Sequence, residues 1–222
     1  MQKSVGGPGD RCTAQITERN PVKVVVLFSG GLDSTVLVAD RIYYGDEVVP
    51  VSFDYGQTHR GRELAAAKRI TQHYRLRHRV VGLTSALLPS ALTGTVSIPE
   101  THATQPDATT VPGRNMILLS VGVAIAEAEA ADQVLFGANA DDVSGYLDCR
   151  PGFVAAFAEA ARVSTASQVE VLAPFQYLTK QEIVEHGRRL GAPLEMSWSC
   201  YRGGESPCLR CGACESREAA FV

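Results

Sequence analysis

The chain alternates short apolar runs with longer segments that carry helical patterning. The apolar runs, rich in β-branched residues, predict strands at 22–28, 47–53, 78–82, 133–137 and 169–174. The helices predicted between and after them run from Asp33 to about Tyr44 and over 62–70, 116–131, 151–163 and 180–190. Near-continuous apolar strands are typical of parallel sheets that are buried on both faces. Since the strands alternate with helices, the pattern predicts an α/β fold with a doubly wound, mostly parallel sheet.

The sequence predicts three units. Residues 1–20 are expected to form a flexible leader, residues 21–195 are expected to form the α/β domain, and residues 196–222 are expected to form a small C-terminal unit. Residues 84–113 are rich in Thr, Ser and Pro and show no clear period. An irregular stretch of that length in a compact domain is usually a lid or binding loop, or is partly disordered.

The composition restricts the classes of partner. The 222 residues, of which 45% are hydrophobic, suffice for one sizeable core. The formal net charge of −3 and the 20% of charged residues give no electrostatic reason to expect nucleic acid or a membrane as a partner. No apolar run is long enough to span a bilayer, and the first residues lack the apolar segment of a secretory signal. We therefore expect a cytoplasmic protein.

The segment Phe28-Ser-Gly-Gly-Leu-Asp-Ser34 joins the first predicted strand directly to the first predicted helix. Its two glycines let the backbone approach an anion, and its serines offer hydroxyl donors. The free N–H groups and the dipole at the start of a helix also favour negative charge. The spacing matches neither a Walker loop nor a dinucleotide fingerprint. A plain turn in which Ser34 or Asp33 caps the helix is the alternative, but the flanking strand and helix favour phosphate binding.

Three loops follow the ends of predicted strands. They lie at 29–34, 54–57 and 137–142. In doubly wound sheets, ligands bind beyond the carboxyl ends of the strands. We therefore expect these three loops to surround one crevice.

Four of the six cysteines lie close together near the C-terminus, at Cys200, Cys208, Cys211 and Cys214. Their number, their spacing and the glycines among them predict a closed, structural Zn²⁺ site. Closely spaced cysteines also ligate iron–sulfur clusters, and Cys208 with Cys211 would suit a redox dithiol, so these alternatives stay open. We expect Cys12 to be an exposed thiol in the leader.

The sequence Ser-Gly-Gly-x-Asp-Ser at 29–34 resembles the pyrophosphate loop of the PP-loop ATP pyrophosphatases, which split ATP into AMP and pyrophosphate. Further blocks of the sequence, together with the four cysteines, resemble the sequences of the 7-cyano-7-deazaguanine synthase family. These blocks lie at 28–35, 53–60, 111–115, 144–150 and 179–180. The resemblance covers about residues 22–218. Leu147 stands where the family pattern leads us to expect proline, a change that affects the rigidity of a turn more than chemistry.

The resemblance implies a Rossmann-like PP-loop fold and a two-stage reaction. ATP would adenylate the carboxylate of 7-carboxy-7-deazaguanine, and ammonia would then displace AMP to form an amide. A second ATP would activate the amide oxygen, and loss of AMP would leave a nitrile. The resemblance also implies Mg²⁺, one structural Zn²⁺ per chain and a homodimer.

The site residues are expected where these blocks meet the predicted crevice. Asp33, Lys180 and Arg114 are expected to be catalytic: Asp33 positions Mg²⁺ or caps the helix, Lys180 steadies phosphates, and Arg114 meets an anion or a base. The ATP-binding residues are expected to be Phe28, Ser29, Gly30, Gly31, Leu32, Asp33, Ser34, Thr35, Val36, Leu37 and Val38. The substrate-binding residues are expected to be Asp54, Tyr55, Gln57, Arg60, Asn115, Ser144, Tyr146, Asp148 and Arg150.

Finer expectations concern individual side chains of these blocks. Asp148 is expected to accept hydrogen bonds from the guanine-like amino edge of the substrate. Cys149 is expected to pack in the pocket wall, because the implied chemistry needs no covalent enzyme intermediate. His59 is expected to cap a helix or to form a local hydrogen bond.

Three other functions are compatible with parts of the sequence. One is a family relative that joins the activated deazaguanine to a different amine. Another is a different PP-loop enzyme, such as a tRNA thiolase or lysidine synthetase, although the slightly acidic composition offers no basic tRNA-binding face. The third is a non-catalytic nucleotide-binding or zinc-stabilised adaptor, against which the charged residues of the predicted site argue.

Overall fold

Five parallel strands form one sheet in the computed structural model, which describes residues 20–83, 90–94, 97–98 and 106–222. The strands are β1 Lys23–Leu27, β2 Glu47–Asp54, β3 Arg79–Gly82, β4 Gln133–Leu135 and β5 Glu170–Leu172. Their order across the sheet is β3-β2-β1-β4-β5. Val24, Val25 and Val26 of the central strand are fully buried, as expected of a strand that is covered on both faces.

Six α-helices cover the two faces of this sheet. They are α1 Leu32–Tyr43, α2 Arg60–His73, α3 Arg114–Ala128, α4 Pro151–Ser164, α5 Lys180–Arg189 and α6 Gly212–Ala220. Helices α3 and α4 pack on one face, and α1, α2, α5 and α6 contribute to the core on the other. The predicted doubly wound α/β sheet is therefore confirmed. No helix in the described ranges is long and apolar enough to cross a bilayer.

The predicted elements are present, but their ends differ. Strands β4 and β5 are three residues each, whereas α2 and α3 begin earlier than the apolar pattern indicated. Helix α6 and the 3₁₀ helices at Ala140–Ser144 and Leu147–Cys149 were not predicted. Residues 1–19, with Cys12, lie outside the described residues, as does much of 84–113. Within that irregular stretch, Ala91–Thr93 and Pro106–Thr109 form 3₁₀ helices.

The sheet changes winding direction at β1, which lies between β2 and β4. Helix α1 follows β1 on one face, whereas α3 contacts both β1 and β4 from the other face. The chain thus leaves the carboxyl ends of β1 and β4 in opposite directions. A crevice opens where these two connections diverge.

Candidate active site

A cleft of about 590 Å³ opens at the carboxyl ends of β1, β2 and β4. The three loops that were expected to surround one crevice all contribute side chains to its wall. The C-terminal segment 196–222, called the tail below, forms the remaining side. The site thus combines the edge of the sheet with a separate segment that folds across it.

The segment 28–34, called the phosphate loop below, depends on Gly30. Its φ is +77°, and a Cβ there would lie 2.6 Å from the backbone nitrogen of Ala67, so only glycine fits this position. The hydroxyl groups of Ser34 and Thr35 donate to the carbonyl oxygen of Gly31, at 3.2 and 2.7 Å. Gly31 is the N-cap of α1 and no side chain caps it. The alternative that Asp33 or Ser34 caps this helix is therefore wrong.

Asp33 instead forms an ion pair in the cleft. Its Oδ2 lies 3.4 Å from the ammonium nitrogen of Lys180 and accepts from the Asn139 side-chain amide at 3.3 Å. Its Oδ1 is buried and has no hydrogen-bond partner among the described residues. Burial raises the pKa of Asp33 more than the nearby lysine lowers it. The free, buried oxygen is a suitable ligand for a hard cation such as Mg²⁺.

Lys180 is placed by the start of α5. Thr179 and Glu182 form a capping box there, and the carboxylate of Asp141 accepts from the backbone N–H of Lys180 at 2.9 Å. Burial lowers the pKa of Lys180, but the carboxylates of Asp33 and Asp142 outweigh this and raise it above its ordinary value. Lys180 is therefore a fixed, charged ammonium next to the phosphate loop.

Asp142 lies in the cleft between the Asp33–Lys180 pair and Arg114. It belongs to the 3₁₀ helix that follows β4, and its charge interacts with Lys180 and Asp33 on one side and with Arg114 on the other. Burial and the charge of Asp33 raise its pKa to about 6. Asp142 ends the loop 137–142 that was expected to border the crevice, but it was not among the predicted site residues.

Arg114 lies at the other end of the cleft, at the first residue of α3. Its Nη1 donates to the hydroxyl of Tyr55 at 3.4 Å. Burial would lower its pKa, but Tyr55 and Tyr201 raise it overall, so the guanidinium stays charged. No carboxylate of the described residues lies within 4.0 Å of it. Arg114 is thus a largely buried cation that forms no direct ion pair with the described residues, although the charge of Asp142 reaches it at longer range.

The predicted substrate-binding residues divide into two groups. Tyr55, Gln57, Asn115, Ser144 and Tyr146 line the cleft. Asp54, Arg60, Asp148 and Arg150 do not.

The four residues outside the cleft wall have other neighbours. The Arg60 guanidinium lies 3.9 Å from Asp54, and Arg150 donates to the carbonyl oxygen of Val143. The carboxylate of Asp148 accepts from the backbone N–H of Asn115 at 2.9 Å, at the start of α3. This geometry gives no support to the expectation that Asp148 binds the amino edge of the substrate.

Cys149 lies in the cleft wall, as expected of a packing residue. Burial raises the pKa of its thiol to about 12. The side-chain amide of Asn115 contacts its sulfur at 3.3 Å. A thiol with this pKa is not a nucleophile at neutral pH.

The tail contributes site residues that the sequence did not reveal. The backbone N–H of Trp198 donates to the carbonyl oxygen of Gly30 at 2.9 Å, which ties the tail to the phosphate loop. Arg217 lines the cleft and donates to Ser197 Oγ at 2.7 Å and to the carbonyl oxygen of Leu194 at 2.9 Å. The only sequence signal for Arg217 is its position one helical turn after Cys214.

The four cysteines of the tail converge. Their sulfur atoms all lie within 4.8 Å of one another, with 3.6 Å between Cys211 and Cys214 and 4.0 Å between Cys208 and Cys214. A Zn²⁺ ion with Zn–S bonds of about 2.3 Å separates its four sulfurs by roughly 3.8 Å. The cluster therefore fits one tetrahedral ion. A four-iron cluster would separate the thiolates further, because additional iron–sulfur bonds lie between them.

Comparison with known proteins identifies relatives over nearly the whole chain. The family model described as "Queuosine biosynthesis protein QueC" matches residues 23–222. The chain is 39% identical to the 7-cyano-7-deazaguanine synthase of Hahella chejuensis over 206 residues, covering 90% of this chain and 89% of that protein. It is also 39% identical to the protein of the same name from Picrophilus torridus over 209 residues, which cover 90% of this chain and 87% of that protein.

Solved structures share the fold. The chain aligns with the U34-tRNA thiolase NcsA from Methanococcus maripaludis, solved with its 4Fe-4S cluster, at a TM-score of 0.56 and 18% identity. It aligns with a 4-thiouridine synthetase–RNA complex with bound ATP at a TM-score of 0.52 and 20% identity. These alignments cover 91% and 90% of this chain but only 65% and 50% of those chains. At such identities the likeness shows the fold alone.

Proposed function

We propose, since this chain belongs to the QueC family of queuosine biosynthesis proteins, that it makes 7-cyano-7-deazaguanine from 7-carboxy-7-deazaguanine, ammonia and ATP. The observation that carries the proposal is the division of one cleft into two ends. A glycine-rich loop with Lys180 and Asp33 forms one end, and Arg114, which has no direct ion pair among the described residues, forms the other. A site for a triphosphate therefore lies next to a site for a second anion.

The proposed reaction activates the substrate twice. The carboxylate attacks the α-phosphorus of ATP and releases pyrophosphate, and ammonia displaces AMP to form the amide. The amide oxygen then attacks a second ATP, and departure of AMP leaves the nitrile. Both activations place negative charge on the leaving pyrophosphate, so the same cationic groups serve both.

The phosphate loop and Lys180 would hold the pyrophosphate group of ATP. The N-terminus of α1 points its free N–H groups at this position, and Ser29 and Ser34 supply hydroxyls whose oxygens lie 3.2 Å apart. The ammonium of Lys180 would replace part of its contact with Asp33 by contact with a phosphate. Arg217 lies close enough to Asp33 for its charge to affect the pKa of that carboxyl, and it would add a second cation.

Asp33 would ligate Mg²⁺ through its free Oδ1, with phosphate oxygens completing the coordination. When bound, Mg²⁺ would offset the charge that develops on the pyrophosphate. The four cysteines would hold a structural Zn²⁺, since four protein thiolates leave no open position for catalysis. We further propose a cytoplasmic homodimer.

Arg114 would receive the carboxylate of 7-carboxy-7-deazaguanine. A buried guanidinium without a direct ion pair is costly unless a ligand supplies one. Tyr55, Tyr146 and Tyr201 lie close enough to raise its pKa and would offer flat faces and hydroxyl groups to the heterocycle. Arg114→Met should therefore raise the KM for the carboxylic acid by about 10²-fold, because the lost ion pair is buried. The control Arg162→Met removes an exposed arginine of α4 and should leave the KM unchanged.

Product analysis tests the function directly. Purified protein is incubated with 7-carboxy-7-deazaguanine, ATP, Mg²⁺ and ammonium, and the product is identified by mass spectrometry while pyrophosphate and AMP are quantified. The proposal expects the nitrile, with two ATP consumed for each nitrile formed. A different adduct would assign the chain to a relative that uses another amine, and absence of pyrophosphate release would overturn the proposal.

A further inference from the structure

The carboxylate of Asp142 lies in the cleft without a direct ion pair. It lines the cleft between the Asp33–Lys180 pair and Arg114, and the charges of all three groups affect its pKa. Among the described residues, however, no nitrogen of a lysine, arginine or histidine lies within 4.0 Å of its oxygens. Asp142 is thus near two cations and forms an ion pair with neither.

The backbone of Asp142 is held in place by Asn139. Asn139 is fully buried, and its side-chain oxygen accepts from the backbone N–H of Asp142 at 3.2 Å. Its side-chain nitrogen donates to Oδ2 of Asp33 at 3.3 Å. The carbonyl oxygen of Asp142 accepts from the backbone N–H of Tyr146 at 2.9 Å. One buried amide therefore connects Asp142 to the phosphate end of the cleft.

The next step rests on the function proposed above, in which Lys180 contacts phosphate and Arg114 receives the substrate carboxylate. When ligands engage both cations, Asp142 is left as a partly buried anion, which is unfavourable unless another cation pairs with it. One substrate of the proposed reaction is a cation at neutral pH, namely ammonium. Its nitrogen must reach the acyl-adenylate, which forms between the phosphate end of the cleft and Arg114. Asp142 lies in that interval.

The other acidic groups of the cleft wall are engaged or exposed. Asp33 forms the ion pair described above, and the carboxylate of Glu63 accepts from a buried side-chain amide at 2.9 Å. Asp141 is exposed, and its carboxylate accepts from the backbone N–H at the start of α5. Glu215 is also exposed, so water competes for its charge. Asp142 is therefore the acidic group best placed for a cationic ligand.

His59 also lines the cleft, but it is poorly placed to accept a proton from a ligand. Its Nδ1 is buried and has no hydrogen-bond partner among the described residues, and its Nε2 lies 3.3 Å from Oε1 of Glu63. The free nitrogen is thus closed to the cleft. The side chain of His59 does not cap α2, so its expected capping role is wrong.

We propose that Asp142 binds the ammonium substrate and takes one of its protons, which releases ammonia next to the acyl-adenylate. The lone pair of the nitrogen attacks the acyl carbon, the bond from that carbon to the AMP oxygen breaks, and its electron pair leaves with AMP. The attached nitrogen then loses a second proton to water, which gives the neutral amide. Asp142 passes its own proton to solvent before the next ammonium binds.

The basicity of Asp142 suits this role. Burial raises its pKa to about 6, so it is a stronger base than an exposed aspartate and is still mostly ionised at neutral pH. Such a carboxylate attracts ammonium by its charge and accepts a proton more readily than an ordinary carboxylate does.

The ammonium dependence of product formation tests the assignment. In Asp142→Asn, with the carboxylic acid and ATP saturating, kcat/KM for ammonium should fall by about 10²-fold or more. Single-turnover release of pyrophosphate from the carboxylic acid and ATP, without ammonium, should keep the wild-type rate. Conversion of the amide to the nitrile consumes no ammonium and should also be unchanged. The control Glu185→Gln, at an exposed position of α5, should alter none of these values.

Hydroxylamine provides a readout that a purely structural role of Asp142 would not give. It is an uncharged nucleophile at neutral pH, so it needs neither a carboxylate to bind it nor a base to free its lone pair. Formation of the hydroxamate from the carboxylic acid, ATP and hydroxylamine should therefore proceed in Asp142→Asn within a few-fold of the wild-type rate.

The outcomes separate this proposal from the function on which it rests. A value of kcat/KM for ammonium within a few-fold of wild type in Asp142→Asn overturns the assignment. Slower pyrophosphate release, or a higher requirement for Mg²⁺, also overturns it, because Asp142 would then serve ATP or its metal. Equal losses with hydroxylamine and ammonium, or a slower conversion of the amide, overturn it as well. If wild-type protein releases no pyrophosphate with the carboxylic acid, it is the proposed function that fails.

Discussion

The ammonium nitrogen of Lys180 lies 3.4 Å from Oδ2 of Asp33 and joins the start of α5 to the first turn of α1. The two side chains are about one-fifth exposed, at 19% and 20%. The pair therefore belongs to the wall of the cleft rather than to its surface. In the apo protein each charge serves as the partner that phosphate or Mg²⁺ would otherwise supply.

Lys180→Met should separate the proposed catalytic role of this pair from its structural role. Loss of a positioned cation should lower kcat by about 10²–10³-fold, and the free energy of unfolding should fall because Asp33 stays behind without its partner. The double variant Lys180→Met/Asp33→Asn should regain stability but not activity. The control Lys68→Met removes an exposed lysine of α2. Stability that stays low in the double variant would show that the two charges are not coupled.

Gly30→Ala should destabilise the protein strongly, and Gly61→Ala should not. Alanine at position 30 would adopt a φ of +77° and place its Cβ 2.6 Å from the backbone of Ala67, which should cost about 2–5 kcal/mol. Gly61 lies near the start of α2 with open space around it, so alanine there should stabilise by up to about 1 kcal/mol. Urea denaturation of both variants measures the difference. Equal midpoints would contradict the close packing of the phosphate loop on α2.

The fold was predictable because its signals are local. An apolar strand, a glycine turn and a helix occur in sequence at 22–44, and a parallel sheet brings such turns together at one edge. The site was only partly predictable. Gln57 was expected to bind substrate, yet its amide is engaged with Glu63, because hydrogen-bond satisfaction depends on neighbours that the sequence does not order in space. Arg217 was missed since only the folded tail brings it to the cleft.

Removal of the proposed Zn²⁺ should disconnect the tail from the phosphate loop. Trp198 is the sole tryptophan of the sequence. Its backbone N–H donates to the carbonyl oxygen of Gly30, and its indole N–H donates to the carbonyl oxygen of Cys200 at 2.7 Å. Chelation, or Cys211→Ser, should therefore shift the emission of Trp198 and abolish activity, while far-UV circular dichroism keeps the signal of the sheet and its helices. The wild-type protein should contain one Zn²⁺ per chain and show no visible absorption. A brown protein with iron would identify a cluster instead.

Asp142→Asn should change the pH dependence of stability. Burial raises the pKa of Asp142 from 3.8 to about 6, so the folded state holds this proton more tightly than the unfolded state. The resulting stabilisation is complete below pH 3.8 and is lost as the pH rises through 6. At pH 8 without ATP the variant should therefore exceed wild type by up to about 3 kcal/mol in free energy of unfolding, and near pH 4 by little.

Urea denaturation at several pH values checks this expectation, with Glu185→Gln, at an exposed position of α5, as the control. The gain in stability should be accompanied by a loss of activity, because the carboxylate lies between the phosphate end of the cleft and Arg114. Such opposition between stability and activity is expected where a site holds a charge that folding alone disfavours. A stability difference that stays constant from pH 4 to pH 8 would show that Asp142 does not carry this buried proton.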